Sequence, residues 1–427
     1  MSNRKYHLET LALHAGQEAP DSATLSRAVP VYRTTAFNFK NSKHAADLFG
    51  LREFGNIYAR LMNPTNDVLE KRLAALDGGA AALTLSSGTA AIYFAITNLA
   101  QAGDEIVSAN NLYGGTFTQF DAILPQGGIT VCFTPVNDFA AVEAAINGKT
   151  RAVYIETVGN PALEVADIEE YAKIAHKHGL PLVVDATFTP PTLLRPIEHG
   201  ADIVIHSLSK WIGGHGTGIG GAVIDAGKFD WSNPKFALYN EPDRGYHGLR
   251  FAHDLGELNH LAFILRLRTV GLRNQGPTLA PDAAWIFLQG VESLPLRMAK
   301  HSENALKVAR FLSKHPKVAW VRYPGLPGDA LAKKYLPDGA GGMVVFGVKG
   351  GSAEAVKLVD NIELFSLLAN VGDAKSLIIH PASTTHSQLS DEDQRKGGLQ
   401  PELIRLSIGL EHIDDIIGAL EDALALI

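Results

Sequence analysis

The stretch His206-Ser207-Leu208-Ser209-Lys210 closes an apolar run, Ala201-Asp202-Ile203-Val204-Ile205, that reads as a buried strand. It puts one lysine and two hydroxyls at a strand's end, ahead of Gly213, Gly214, Gly216, Gly218, Gly220 and Gly221. A lysine amine condenses with an aldehyde, and hydroxyls bind phosphate, so the combination suits a phosphorylated aldehyde cofactor. Alone it is a modest signal, because a strand-end lysine is usually just solvated. The weight comes from Asp185, twenty-five residues earlier, at the end of a second apolar run, Leu182-Val183-Val184-Asp185-Ala186-Thr187. Pyridoxal phosphate needs an anion against its pyridinium nitrogen. Two neighbouring strands delivering Asp185 and Lys210 to one edge of a sheet would hold that cofactor between them.

Other residues gather on the same kind of edge. Ser86-Ser87-Gly88-Thr89-Ala90-Ala91 follows a strand and opens a helix. Free amides at a helix N-terminus, with a glycine allowing close approach, make a phosphate site. An ordinary strand–helix turn is the alternative, and the company of Ser207, Ser209 and Lys210 favours phosphate. Tyr113 follows another strand, at the carboxyl end where parallel sheets bind ligands. Asn160, in Glu156-Thr157-Val158-Gly159-Asn160-Pro161, ends a further one, although Asn-Pro is also a routine loop pair. Arg405 lies between apolar residues in Leu403-Ile404-Arg405-Leu406-Ser407. Buried there, it needs either a carboxylate-bearing ligand or a structural ion pair.

The elements that must position these residues alternate. A helix begins after Pro64-Thr65, read as its N-cap, with Val68, Leu69, Leu73 and Leu76 on one face and Gly78-Gly79 as its stop. Residues 82–85, 105–108, 129–133, 152–155, 182–184 and 203–205 read as short apolar strands, with helical stretches such as 168–175 between them. That pattern predicts an α/β fold with a mostly parallel sheet flanked by helices. The expected division is an N-terminal arm over residues 1–65, a cofactor-binding α/β domain over 66–275, and a smaller C-terminal α+β domain over 276–427. The last of these reads as helix-rich and strand-poor. Residues 229–273, with weak periodicity, read as a long insertion packed over a site or an interface.

Tyr58-Ala59-Arg60, Asn63-Pro64-Thr65, the Asp185 and Lys210 strand ends and Arg405-Leu406-Ser407-Ile408-Gly409 fall in a familiar order. Over nearly the whole chain the sequence resembles the cysteine/methionine-metabolism family of pyridoxal-phosphate enzymes, and within it the O-acetylhomoserine sulfhydrylase branch. The resemblance implies fold type I, with the cofactor covalently held by Lys210 and its ring nitrogen on Asp185. Gly88, Thr89, Ser207 and Ser209 match the family's phosphate ligands. Tyr58 and Arg60 match residues that reach the phosphate from a neighbouring subunit, Tyr58 also approaching substrate. Tyr113 matches the tyrosine that stacks on the ring and moves protons near the leaving group. Asn160 matches the asparagine that contacts the cofactor's 3-oxygen and the substrate carboxylate, Arg405 the carboxylate-binding arginine, and Asn370 a residue lining the substrate pocket. The implied assembly is a homo-oligomer with sites shared between chains, a tetramer built of two dimers.

Two motifs point elsewhere and are set aside. Gly216-Thr217-Gly218-Ile219-Gly220-Gly221 satisfies the dinucleotide fingerprint but leads into a strand, Ala222-Val223-Ile224-Asp225, where that fingerprint should open a helix. An NAD-dependent oxidoreductase rests on that run alone. His380 and His386 have no acidic or cysteine companion and lack helical zinc-site spacing, so no metal is expected. The net charge of −7 offers no electrostatic attraction to nucleic acid or anionic membrane. One cysteine, Cys132, excludes an internal disulfide and reads as a buried strand residue. The polar Met1–His7 stretch and the lack of an apolar run of about 20 residues predict a cytoplasmic enzyme.

The reaction implied is γ-replacement on O-acetyl-L-homoserine, with sulfide or methanethiol as nucleophile, giving homocysteine or methionine and acetate. Cystathionine γ-synthase, which shares the cofactor residues, and the family's γ-lyases stay as alternatives. Methanethiol-forming γ-lyases carry a cysteine where this chain has Gly115, which weighs against the latter.

Overall fold

The computed structural model describes residues 5–384 and 399–427. Its larger sheet contains β1 (Ala81–Leu85), β2 (Glu105–Ala109), β3 (Thr130–Thr134), β4 (Thr150–Glu156), β5 (Leu182–Asp185), β6 (Ile203–Ser207) and β7 (Gly221–Asp225). Their order across the sheet is β1-β7-β6-β5-β4-β2-β3. Only β7 runs against its neighbours, so the carboxyl ends of the other strands share one edge. The apolar strands are continuous runs because both faces are covered. Val184 and Val204 face one core, while Val183, Ile203 and Ile205 face the other. Each is fully buried, which contributes about 1.5–3 kcal/mol per side chain.

The reversed strand decides what meets at that edge. Gly221, its first residue, pairs with both Leu85 of β1 and Ser207 of β6. The turn after β1 is thereby drawn beside the end of β6, although the two are far apart in sequence. A Cβ at Gly221 would lie 2.1 Å from the Ser87 carbonyl oxygen, so only a bare backbone allows the approach.

The helix after the arm spans Pro64–Asp77 and stops at Gly78, whose φ of 74° is left-handed. Its cap is Asn63, not Thr65: the Asn63 side chain accepts from the Thr65 amide, with Pro64 at the first helical position. The Thr65 hydroxyl is used elsewhere, donating to Pro30 O and tying the arm down. The first residues also carry two helices, Leu8–His14 and Ser42–Phe49.

The C-terminal region is richer in strands than the sequence suggested. β8 (Val318–Arg322), β9 (Met343–Val348), β10 (Ser366–Leu367), β11 (Leu377–Ile379) and β12 (Leu403–Ser407) form a sheet of order β10-β11-β12-β9-β8. Strands of two and three residues are too short to show a period. The 229–273 insertion packs against a helix that flanks the larger sheet. Its aromatic residues Trp231, Phe236, Tyr239 and Phe263 pack with Ile92 and Ile96 of the Gly88–Thr97 helix. Tyr239 donates to Asn98 O and Asn98 donates to Phe263 O, both at that helix's C-terminal end. Among the described residues, none of its hydrogen bonds reaches Lys210, Asp185, Asn160 or Arg405. It braces the helix from the end remote from the strand edge. No described helix is long and apolar enough to cross a membrane.

A buried guanidinium fixes the segment after β6. Arg297, on the Leu294–Leu312 helix, donates to the carbonyls of Trp211, Ile212 and Gly290 and to the Ser293 hydroxyl. Burial without an anion pushes its pKa down to about 10. Gly214 has a φ of 72°, and a Cβ there would lie 2.1 Å from the guanidinium. Arg297→Met would strand three carbonyl groups at about 1–3 kcal/mol each where they stay dry. We expect its denaturation midpoint to fall by the equivalent of at least about 2 kcal/mol. An unchanged midpoint would contradict the clamp.

Candidate active site

Lys210 lies just past β6 at the strand edge, and its ammonium donates to Asn370 Oδ1 at 2.6 Å. The segment holding Asn370 crosses directly over the lysine: a Cβ on Gly372 would sit 2.7 Å from the Lys210 carbonyl carbon. Gly372 N donates to the Ser407 hydroxyl, so the end of β12 holds that crossing in place. Arg405 is buried in β12 and donates to Asn160 Oδ1 at 3.2 Å. Thus Lys210, Asn370, Arg405 and Asn160 converge from four separate stretches of chain.

Both cations are under electrostatic stress. Burial, then the nearby Arg405 charge, push the Lys210 pKa down. Burial lowers Arg405 to about 10, with partial relief from Tyr113. Among the described residues Arg405 has no carboxylate within ion-pair distance, which removes the structural salt bridge as its explanation there. A lysine whose charged form is disfavoured becomes a free amine more readily, the form that condenses with an aldehyde.

On the neighbouring strands two buried carboxyls stand side by side, Glu156 of β4 paired in register with Asp185 of β5. Burial raises the Asp185 pKa, opposed by hydrogen bonds from Thr187, the His206 charge and Tyr154. Thr187 N donates to its Oδ1 at 2.9 Å. Glu156 is pushed well above the usual carboxylate range by burial and by Asp185. Its Oε1 accepts from Tyr113 N at 2.8 Å. His206 is fully buried next to Asp77, 3.0 Å away. Burial disfavours its charge, but Asp77 outweighs that and raises its pKa. His206 in turn opposes the rise of the Asp185 pKa.

A candidate anion cradle is built where the turn after β1 meets the end of β6. Ser87 caps the Gly88–Thr97 helix by accepting from Ala90 N at 3.0 Å. The amides of Gly88 and Thr89, in the first turn, have no partner within the helix. A Cβ on Gly88 would lie 2.6 Å from Ser207 Cβ, so this turn and the Ser207 hydroxyl form one concave surface. Ser209 Oγ accepts from Gly220 N at 3.0 Å, which orients its hydroxyl.

Tyr58 and Arg60 are not drawn into this cluster. Both are exposed, with the Arg60 guanidinium 5.3 Å from the Tyr58 ring centroid. Tyr113 is half exposed at the cluster's edge. His380 is buried, its ring nitrogens engaged with Ser383 Oγ and Pro401 O, a structural role. His386 lies outside the described residues. No described group of His, Cys, Asp and Glu could hold a metal ion. Cys132 is partly exposed on β3, not buried as its strand position suggested.

Sequence reasoning passed over Glu156, His206, Thr187 and Arg297 as functional groups. Glu156 had a usable signal, since a carboxylate ending an apolar strand is the same cue that singled out Asp185. The cluster fits pyridoxal phosphate on its own terms. It offers a helix N-terminus and hydroxyls for phosphate, a desolvated amine for an aldehyde, and a supported carboxylate for a pyridinium.

Comparison with known proteins agrees. The family Cys/Met metabolism PLP-dependent enzyme matches residues 9–425. The chain is 55% identical to an O-acetyl-L-homoserine sulfhydrylase of Leptospira meyeri, covering 99% of this chain and 97% of that protein. It is 52% identical to O-acetyl-L-homoserine sulfhydrylase 1 of Thermus thermophilus, covering 98% and 99%. A crystal structure from Campylobacter jejuni, a "putative O-acetylhomoserine (thiol)-lyase", superposes with a TM-score of 0.94 at 44% identity, covering 98% and 100%. It carries N'-pyridoxyl-lysine-5'-monophosphate at position 205 of its own chain. The family match spans both sheets and every element that builds the cluster, and the chain belongs to the Cys/Met-metabolism family of pyridoxal-phosphate-dependent enzymes.

Proposed function

We propose that the protein catalyses γ-replacement on O-acetyl-L-homoserine, with sulfide or methanethiol entering and acetate leaving, to give homocysteine or methionine. The observation that carries this reading is the buried Arg405 guanidinium, which lacks a carboxylate partner among the described residues and stands near Lys210. A desolvated guanidinium of this kind is a receptor for a carboxylate, and an α-amino acid offers one beside its amine. The sulfhydrylase names of the relatives give the leaving group and the nucleophile.

Pyridoxal phosphate, when bound, supplies the electron sink for charge released at the substrate's carbon atoms. Lys210 would hold the cofactor's aldehyde and, as a free amine, would move protons at the substrate's α- and β-carbons. Its flexible stem and lowered pKa suit that shuttle. Asp185 keeps the pyridine nitrogen protonated, and Asn160, bonded to Arg405, orients the substrate carboxylate. Gly88, Thr89, Ser207 and Ser209 hold the phosphate. Asn370, bonded to Lys210, marks the substrate side of the amine. Tyr113, at the mouth, stacks on the ring and moves protons near the departing acetate.

A dianionic phosphate calls for a cation. Arg60 is exposed and Lys210 is committed to the aldehyde, so we assign Arg60, with Tyr58, to the site of a second copy. The functional unit is then a homo-oligomer with shared sites, for which we propose a tetramer working in the cytoplasm.

Truncating Arg405 removes the charged partner of the substrate carboxylate, at about 2–5 kcal/mol. Steady-state kinetics of Arg405→Ala with O-acetylhomoserine and sulfide should therefore show kcat/KM reduced at least roughly 30-fold. A loss below about threefold would remove Arg405 from substrate binding. Sharing of sites is tested by mixing. Arg60→Ala and Lys210→Ala are each expected to be impaired. Refolded together, they form mixed dimers in which one site has both residues intact and the other has neither. Activity should reappear in the mixture; if Arg60 served its own chain's site, every mixed site would stay defective and none would return.

A further inference from the structure

We propose that Glu156 is a positioning residue, whose buried carboxyl docks the Tyr113 backbone and thereby seats that ring at the mouth of the site. The inference rests on the role given to Tyr113 above and extends it to a residue without a role in that reading. Three observations combine. Glu156 is buried at the end of β4, and its Oε1 accepts the Tyr113 amide at 2.8 Å. The Tyr113 side chain is half exposed and makes no capping bond to the helix it precedes, while its carbonyl accepts from Phe117 N at 2.9 Å. Asp185 pairs in register with Glu156, so two carboxyls share one dry patch of sheet.

Like charges this close cannot both ionise cheaply in a buried setting. The surroundings decide which gives way. Asp185 has Thr187 N at 2.9 Å, Tyr154 OH nearby and the His206 charge behind it. Among the described residues Glu156 has only the Tyr113 amide, and burial with the Asp185 charge pushes it well above the usual carboxylate range. Tyr154, on the same strand and equally buried, is itself pushed upward and stays neutral. The charge therefore remains on Asp185, where a pyridinium requires it. A neutral carboxyl still accepts an amide hydrogen bond, so the docking role survives protonation.

The test uses holoenzyme variants and two readouts, the dissociation constant for pyridoxal phosphate and the pH profile of kcat/KM. Glu156→Leu, which keeps the volume but accepts no hydrogen bond, should weaken cofactor binding and lower kcat/KM, each at least about tenfold. Glu156→Gln retains the acceptor and cannot ionise. It should recover most of that loss, with a pH profile superimposable on the wild type. A Glu156→Gln enzyme as poor as Glu156→Leu, or one lacking a limb of the profile, would overturn the proposal. Tyr113→Ala separates the two layers of the argument. In that background Glu156→Leu should weaken cofactor binding no further, whereas additive losses would mean that Glu156 acts by another route. If Tyr113→Ala alone binds cofactor as tightly as wild type, the role of Tyr113 fails first, and the proposal with it.

Discussion

Charged groups held out of water without full pairing are the constraint on which this structure depends. Lys210 and Asp185 at the edge of the larger sheet, and Arg405 in β12 of the second, are all desolvated, and none has an opposite charge in direct contact among the described residues. Isolated buried charges are costly, and folded proteins normally pair or neutralise them. Here hydrogen bonds hold each group in place without a direct ion pair: Asn370 on Lys210, Asn160 on Arg405, Thr187 on Asp185. On the function proposed above, the missing charges are those of the ligands: a substrate carboxylate for Arg405, a pyridinium for Asp185, and an aldehyde that takes the lysine as a neutral amine. Binding energy is thus stored as unmet electrostatic demand, and the rest of the fold keeps that demand rigid.

The rigidity comes from strand order. Parallel strands β2, β4, β5 and β6 bring their carboxyl ends to one edge, and the reversed β7 adds the turn after β1 to the same place. Without β7 between them, the helix N-terminus at Gly88 would have no reason to abut Ser207. The second sheet then supplies Arg405, and the segment after β10 supplies Asn370, as a cover over Lys210. Arg297 fastens the loop beneath, bonding carbonyls that would otherwise be buried without donors. Each layer solves a backbone problem and aims a side chain in doing so.

Much of this was legible in the sequence because strand ends are. Lys210 and Asp185 stood out as polar residues terminating apolar runs, and the glycine turn at Gly88 announced a helix start. The family resemblance added the residues whose roles no spacing could reveal. What stayed hidden was of two kinds. Contacts across long separations, such as Lys210 to Asn370 or Arg297 to Trp211, leave no local pattern. Short strands such as β10 and β11 draw their order from neighbours rather than from their own few residues. The packing of the 229–273 insertion stayed hidden for a related reason. Its weak periodicity conceals an aromatic core that forms only against the Gly88–Thr97 helix. Glu156 is the instructive omission, since its position at a strand end carried the same cue as Asp185.

The central claim is that the desolvated amine of Lys210 is the group that carries the cofactor. Its most direct test is chemical: reduce the pyridoxal-phosphate-loaded protein with borohydride, digest it, and locate the phosphopyridoxyl label by mass spectrometry. The account predicts loss of the visible absorption band and a label confined to the peptide containing Lys210. A label on a different lysine, or bleaching without any labelled peptide, would contradict it.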